Sequence, residues 1–266
     1  MSKILLRHAY LDYVDNGKAF NALNDLNIAV KSGEFVSIIG SSGCGKSTIL
    51  NVISGIRPLT KGELFIDNIP VTGPGKNRGI VFQHYSLFPW MTSKRNVSFG
   101  IQHACKGKNK KEIDEMAQQH LNRVGLQGFE NKYPFQLSGG MQQRVAIART
   151  LAMKPEILLM DEPFGAVDAK NKMVLQDLLL DLLLKENEQK TIVFVTHDVD
   201  EAILLSDRML FMHNKKIEQE ITIDFNRPRI REELFKTGRY REIRREIISL
   251  FYKDVLENIG GSEVVI

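Results

Sequence analysis

Residues 35–48 read FVSIIGSSGCGKST. The largely apolar run Phe35–Ile39 stops at a glycine, a glycine-rich turn follows, and a helical pattern begins near Lys46. Strand, glycine turn and helix in that order suit a polyphosphate cradle. Gly40, Gly43 and Gly45 let the backbone wrap closely around phosphate oxygens, and the helix turns its N-terminal N–H groups and partial positive charge toward them. Gly40–Thr48 fits GxxxxGK[ST] in this strand-to-helix context. Gly40, Ser41, Ser42, Gly43, Cys44 and Gly45 are therefore expected to form the cradle. Lys46 is expected to hold the β- and γ-phosphates, Ser47 to ligate Mg²⁺, and Thr48 to support the phosphates from the helix start.

Outward from this loop, runs rich in β-branched or aliphatic residues recur at Leu64–Ile66, Gly79–Phe82, Ile157–Met160, Thr191–Thr196 and Met209–Met212. Helical patterns separate them, which predicts a mainly parallel sheet covered by helices. Residues 2–40 read as short strands. Between 84 and 152 strand signals stop and charged helical segments such as Lys110–Val124 take over, so a helical subdomain is expected inside the α/β core. After about Lys215 come a last strand and a polar helical tail, Arg231–Glu257, expected to pack on the core or on a partner. No internal repeat is visible.

ILLMDE at Ile157–Glu162 is an apolar strand that delivers two carboxylates at its C-terminal end, where open α/β sheets bind ligands. A buried strand ending in an acidic turn also occurs for structural reasons. Joined to the phosphate loop, it predicts Asp161 as a Mg²⁺ ligand and Glu162 as the general base that polarises an attacking water.

LSGGMQQR at Leu137–Arg144 closely resembles the signature sequence of ATP-binding cassette (ABC) proteins, in the order and spacing that family shows relative to the phosphate loop and ILLMDE. The resemblance spans about residues 2–225. It implies a phosphate-loop NTPase core with an N-terminal antiparallel β subdomain and the inserted helical subdomain, over residues 1–225, followed by a short tail, 226–266. It also implies ATP with Mg²⁺ as ligand and a homodimer in which Ser138, Gly139 and Gly140 serve the nucleotide bound by the other subunit. Gln83 resembles the glutamine that senses Mg²⁺ and the attacking water, although a surface glutamine is the plain alternative. His197, in VTHDVDEA, resembles the switch histidine at the γ-phosphate, against a capping or core histidine. Asp168, in FGAVDA, resembles the aspartate that couples the two sites, and it also suits a helix N-cap. An aromatic is expected to stack on adenine: Tyr13 first, with Tyr10 and Phe20 as rivals across the polar turn Asp15–Lys18.

The segments TGPGKNRGIVFQHYSLFPWMT, DEPFGAVDA, EAILLSDRMLFM and DFNRPR look like importer ATPases of the nitrate, sulfonate and taurine group. Lys215–Lys216 and Val167 depart from the usual Gly-Arg and Leu, away from the phosphate chemistry. The resemblance implies separate integral-membrane permease subunits docking near Tyr85–Met91, indirectly an extracytoplasmic solute-binding protein, and a peripheral place on the cytoplasmic face of the membrane. Core packing is the alternative for that aromatic stretch.

Bulk properties agree. The 266 residues are 43% hydrophobic, enough for a core, and 26% charged with both signs mixed. A net charge of +4 is not the dense basic face of a nucleic-acid binder, so no nucleic-acid partner is expected. No stretch approaches the roughly 18 apolar residues of a membrane span, and no export signal is read at the start. Cys44 and Cys105 are too few for a disulfide framework. Lys46 and the helix N-terminus are expected to favour the Cys44 thiolate. A soluble ABC ATPase acting on nucleic acid or ribosomes is the main rival, but such proteins usually carry coiled-coil insertions or two cassettes. A phosphate-loop kinase leaves LSGGMQQR unexplained.

Overall fold

The chain opens with two antiparallel strands of 14 residues each, β1 (Ser2–Asp15) and β2 (Lys18–Lys31), where the sequence predicts short ones. The register slips between Leu6 and Ala9 and again between Ala9 and Leu11. Each slip inserts a residue that breaks the in–out alternation, so a long strand reads as fragments. Strand β3 (Phe35–Gly40) is buried throughout. Helix α1 (Lys46–Ser54), β4 (Lys61–Ile66) and β5 (Ile69–Pro70) follow, and the antiparallel sheet runs β2-β1-β4-β5. The computed structural model describes residues 2–15, 17–105, 107–165, 167–185 and 190–260. Asn16 of the expected polar turn and residues 261–266 of the expected tail lie outside them.

Two compact units divide the chain: residues 1–73 with 193–266, and residues 74–192. The second unit contains β6 (Arg78–Val81), α2 (Ser93–Ala104), α3 (Lys110–Arg123), a 3₁₀ turn (Pro134–Gln136), α4 (Gly139–Ala152), β7 (Ile157–Asp161) and α5 (Ala169–Lys185). Strands β6 and β7 are parallel. The helices expected within 84–152 are α2, α3 and α4, which pack on one another with Val97, Ile101, Ala117, Leu121 and Val145 buried. Local signals set their starts. Thr92 caps α2, and Asn109 with Glu112 closes a capping box on α3.

The division runs through β8 (Thr191–Val195), after which the first unit resumes with α6 (Val199–Leu205), β9 (Arg208–His213), β10 (Lys216–Thr222), α7 (Arg231–Leu234) and α8 (Gly238–Gly260). Strand β9 is parallel to β3 and antiparallel to β10. The architecture is the expected α/β class, an antiparallel N-terminal sheet and a largely parallel one covered by helices. The C-terminal helix α8 packs on α6 and β9. It buries Tyr240, Ile243 and Ile247 and sets Phe251 edge-on to Phe211 at 5.2 Å. Each isoleucine so buried contributes about 1.5–3 kcal/mol.

Candidate functional site

In the first unit the phosphate loop is shaped by close backbone approach. A side chain at Gly45, where φ is 109°, would come within 2.7 Å of the Ala22 carbonyl and 2.8 Å of the Met212 methyl. At Gly40 it would meet the Met212 carbonyl and come within 2.9 Å of the Cys44 sulfur. Only glycine fits either place. Strand β9 causes this, because Gly40 and Met212 are register partners. The Lys46 side chain lies along the loop, only 7% of the residue exposed, and its Nζ donates to the carbonyls of Gly40 at 2.9 Å and Ser41 at 2.7 Å. Gly45 is also the N-cap of α1 and provides no side-chain acceptor, so nothing from the cap competes with a phosphate for that helix end. Ser47 and Thr48 sit in the first helical turn.

Cys44 corrects an expectation. Its thiol is buried, and burial pushes its pKa up more than the nearby Lys46 lowers it. The thiol stays protonated because desolvation penalises the thiolate. Cys44 is a packed wall of the loop rather than an activated nucleophile.

His197, also in the first unit, follows β8 and is exposed. The backbone on both sides of it is fixed. The Thr196 hydroxyl donates to the buried Glu201 carboxylate at 2.5 Å and accepts from the Asp198 N–H at 3.0 Å. Asp198 in turn accepts from the N–H groups of Asp200 and Glu201 and caps α6. Of the three aromatic candidates, Tyr13 and Phe20 are register partners across β1 and β2. Every one has a cation over its ring: Arg57 over Tyr13, Lys61 over Tyr10 and Lys215 over Phe20.

In the second unit, Val81 and Met160 are register partners, so residues two further along each strand emerge side by side. These are Gln83 and Glu162, and the Gln83 amide donates to the Glu162 carboxylate at 3.1 Å. Asp161 is the last residue of β7. Its carboxylate and the Ser47 hydroxyl are hard oxygen donors, the chemistry Mg²⁺ prefers. Ser138 is the N-cap of α4 and accepts from the Met141 N–H at 3.3 Å, with Gly139 and Gly140 opening the helix. A Cβ at Gly140 would touch Val167 and Asn171 at 3.6–3.7 Å, so the signature loop lies against the segment that carries Asp168. Asp168 accepts from the Asn171 side chain at 2.7 Å and backbone at 3.1 Å, which holds its carboxyl below the usual range. It has the capping geometry that the plain alternative predicts.

No residue of Tyr85–Met91 is buried, and Trp90 is 67% exposed. The core-packing alternative fails. Phe88 anchors the segment between Phe99 at 4.7 Å and the Arg149 guanidinium at 5.7 Å. Two residues the sequence did not mark as functional hold its backbone. The buried Asn96 amide donates to the carbonyls of Phe88, Met91 and Thr92 and accepts from the Phe88 N–H. Arg149, on the signature helix α4, donates to the Ser86 carbonyl at 2.9 Å. Beside this segment a groove of about 620 Å³ is lined by Trp90, Met91, Arg95, Phe99, Asn131 and Tyr133, among others.

Residues 23–165 match the family model described as ABC transporter. The nitrate import ATP-binding protein NrtD of Synechococcus elongatus is 43% identical over 235 residues, 87% of this chain and 85% of that protein. The bicarbonate transport ATP-binding protein CmpC of the same species is 44% identical over 238 residues, 88% of this chain and 36% of that longer protein. Among solved structures, the ATP-binding cassette MJ0796 in a dimeric post-hydrolysis state bound to ADP and Pi superposes with a TM-score of 0.76 at 35% identity. That match covers 84% of this chain and 100% of that one.

Proposed function

This chain belongs to the ABC transporter family and is an ATPase of that kind, and on that premise we propose that it is the motor subunit of an importer for a small oxyanion. It works as a homodimer on the cytoplasmic face of the membrane, bound to separate permease subunits that receive solute from an extracytoplasmic binding protein. The observation that carries the reading is the Gln83–Glu162 hydrogen bond. It joins the proposed base to the residue from which the exposed, aromatic segment Tyr85–Met91 runs.

Lys46 and the loop N–H groups bind the polyphosphate of ATP. Glu162 takes the proton of the attacking water as its oxygen bonds to the γ-phosphorus and the bond to ADP breaks. Ser47 and Asp161, with Gln83, supply oxygen donors for Mg²⁺, which when bound neutralises charge on the phosphate oxygens. His197 contacts the γ-phosphate, Tyr13 stacks on adenine, and Asp168 couples the two nucleotides. Ser138, Gly139 and Gly140 serve the nucleotide held by a second copy, a helix N-terminus being suited to a γ-phosphate. The groove beside Trp90 accepts a short helix of the permease, for which aromatic anchors on a concave face are apt.

The oxyanion class is favoured by the nitrate and bicarbonate relatives and by the sulfonate-type segments. The test is reconstitution with the cognate permease in vesicles, with binding protein loaded with nitrate, bicarbonate or a sulfonate. ATP hydrolysis should rise only when permease and loaded binding protein are both present, with uptake of that anion. Hydrolysis indifferent to the permease but stimulated by DNA or ribosomes would sink the importer reading.

A further inference from the structure

Two of the contacts that the C-terminal helix α8 makes within the first unit lie beside segments given a role above. Near its start, the Tyr240 hydroxyl donates to Asp200 at 2.6 Å and the Arg244 guanidinium reaches the same Asp200 oxygen at 2.9 Å. Asp200 is in the first turn of α6, three residues after His197. Its N–H is bonded to Asp198, whose own N–H is bonded to Thr196. Any shift of Asp200 therefore reaches the backbone on both sides of His197. Tyr240 is buried, whereas Arg244 and Asp200 are 46% and 40% exposed in their side chains. A pair that exposed contributes little stability, so its geometry is the more informative feature.

Near its end, α8 brings Asp254 to His213 at 2.5 Å, both buried. The Asn214 amide lies 2.7 Å from His213 Nε2. His213 is the residue after Met212, whose carbonyl abuts Gly40 and whose methyl abuts Gly45. One helix thus joins the segment carrying His197 to the strand that backs the phosphate loop, across 14 residues or about 21 Å of helix.

We propose that α8 is a splint for the γ-phosphate end of the site, with Tyr240 a positioning residue for His197 and Asp254 a positioning residue for the phosphate loop. The inference rests on the assignment of His197 and the loop to the γ-phosphate made above. It predicts a division of labour. Loss of the Tyr240 anchor disturbs the group that acts in the transition state and leaves ground-state binding intact, so it lowers kcat alone. Loss of the Asp254 anchor loosens the loop that binds ATP in every state, so it raises Kd.

The experiment uses the full chain assembled with its permease for kinetics, and the full chain alone for ATP titration, melting and NMR of histidine rings labelled with ¹³C. Among the six histidines, the signal absent from His197→Ala identifies His197. Tyr240→Phe removes only the hydroxyl. It should lower kcat about tenfold, below the hundredfold that a 1 Å misplacement costs, with ATP affinity unchanged and the His197 signal moved. Asp254→Asn should weaken ATP binding several-fold with kcat at saturation nearly unchanged. A lowered melting temperature with kcat and Kd both preserved and the His197 signal unmoved would overturn the splint and leave α8 as packing only. Full hydrolysis by His197→Ala would instead overturn the assignment of His197 itself. A hydrolysis-dead His197→Ala beside a fully active Tyr240→Phe would overturn the Tyr240 anchor while leaving that assignment standing.

Discussion

Glu162 has φ of 43°, a backbone conformation that costs a non-glycine residue energy and is held only where the surroundings impose it. Here the imposing features are the end of β7, the Gln83 amide on the carboxylate and the Gly165 N–H on the carbonyl. In the role of base proposed above, Glu162 depends on its charge more than its shape. Glu162→Gln should therefore cut hydrolysis by about 10²–10⁴ while ATP still binds, measured as turnover and nucleotide affinity in the assembled transporter. Near-normal turnover would remove Glu162 from the role. Gln143 is the opposite case, a side chain given no part in the proposed chemistry. It is fully buried in α4 and neither end of its amide has a hydrogen-bond partner among the described residues. Gln143→Met keeps the shape and removes the unpaired dipole, so it should stabilise by about 1 kcal/mol and raise Tm by about 2–4 °C. A lower Tm on calorimetry would mean the amide has a partner after all. His120 on α3 is kept neutral by burial and by Arg123 and Lys154, its pKa lowered to about 4. The unfolded chain takes up that proton near pH 6.5 and the folded chain resists it, so stability falls as pH drops from about 6.5 toward 4. His120→Gln should flatten that part of the Tm–pH profile, and an unchanged slope would contradict the assignment.

At the scale of elements, the segment Tyr85–Met91 carries its own reporter, because Trp90 is the chain's single tryptophan. Its exposure predicts ready quenching by acrylamide in the isolated subunit, and docking in the adjoining groove predicts shielding and a blue shift on adding the permease. Quenching that is already blocked without a partner, or that the permease leaves unchanged, would move the docking surface elsewhere. What the sequence could and could not reveal follows from how local each determinant is. Gly40–Thr48 and the carboxylates closing β7 are encoded within a few residues, and the structure has the loop, the start of α1 and the strand end where those signals put them. The full lengths of β1 and β2 were hidden because bulges reset the alternation. Asn96 and Arg149 were hidden for another reason. Each acts on a segment that its neighbours in sequence do not identify, Arg149 across 63 residues to Ser86. The anchors of α8 reach 40 residues back to Asp200 and 41 back to His213, a distance at which a polar amphipathic helix gives no sign of what it will touch. The expected Cys44 thiolate turns on a balance no motif contains, since whether Lys46 or burial dominates a thiol depends on packing.

For the whole molecule the decisive question is how many chains make one nucleotide site. The phosphate loop and the signature helix both end in N-terminal N–H groups suited to phosphate, and the related cassette MJ0796 is dimeric with ADP and Pi bound. If each ATP lies between Lys46 of one copy and Ser138 of the other, damage can be complemented. Lys46→Ala alone spoils both sites of a homodimer, and so does Ser138→Arg, whose bulk fills the place of the phosphate. In a mixed dimer the two lesions fall on one site and the other receives an intact Lys46 and an intact Ser138. Random pairing then restores about a quarter of the sites, since half the dimers are mixed and each has one of two sites whole. In the Glu162→Gln background, where ATP is bound and not consumed, this recovery should appear as retained ATP and an ATP-dependent dimer on sedimentation. Neither variant alone should form the ATP-dependent dimer. If mixing retains no more ATP than the separate variants, both halves of the site belong to one chain. The coupling of two nucleotides through Asp168 would then fall with the composite site.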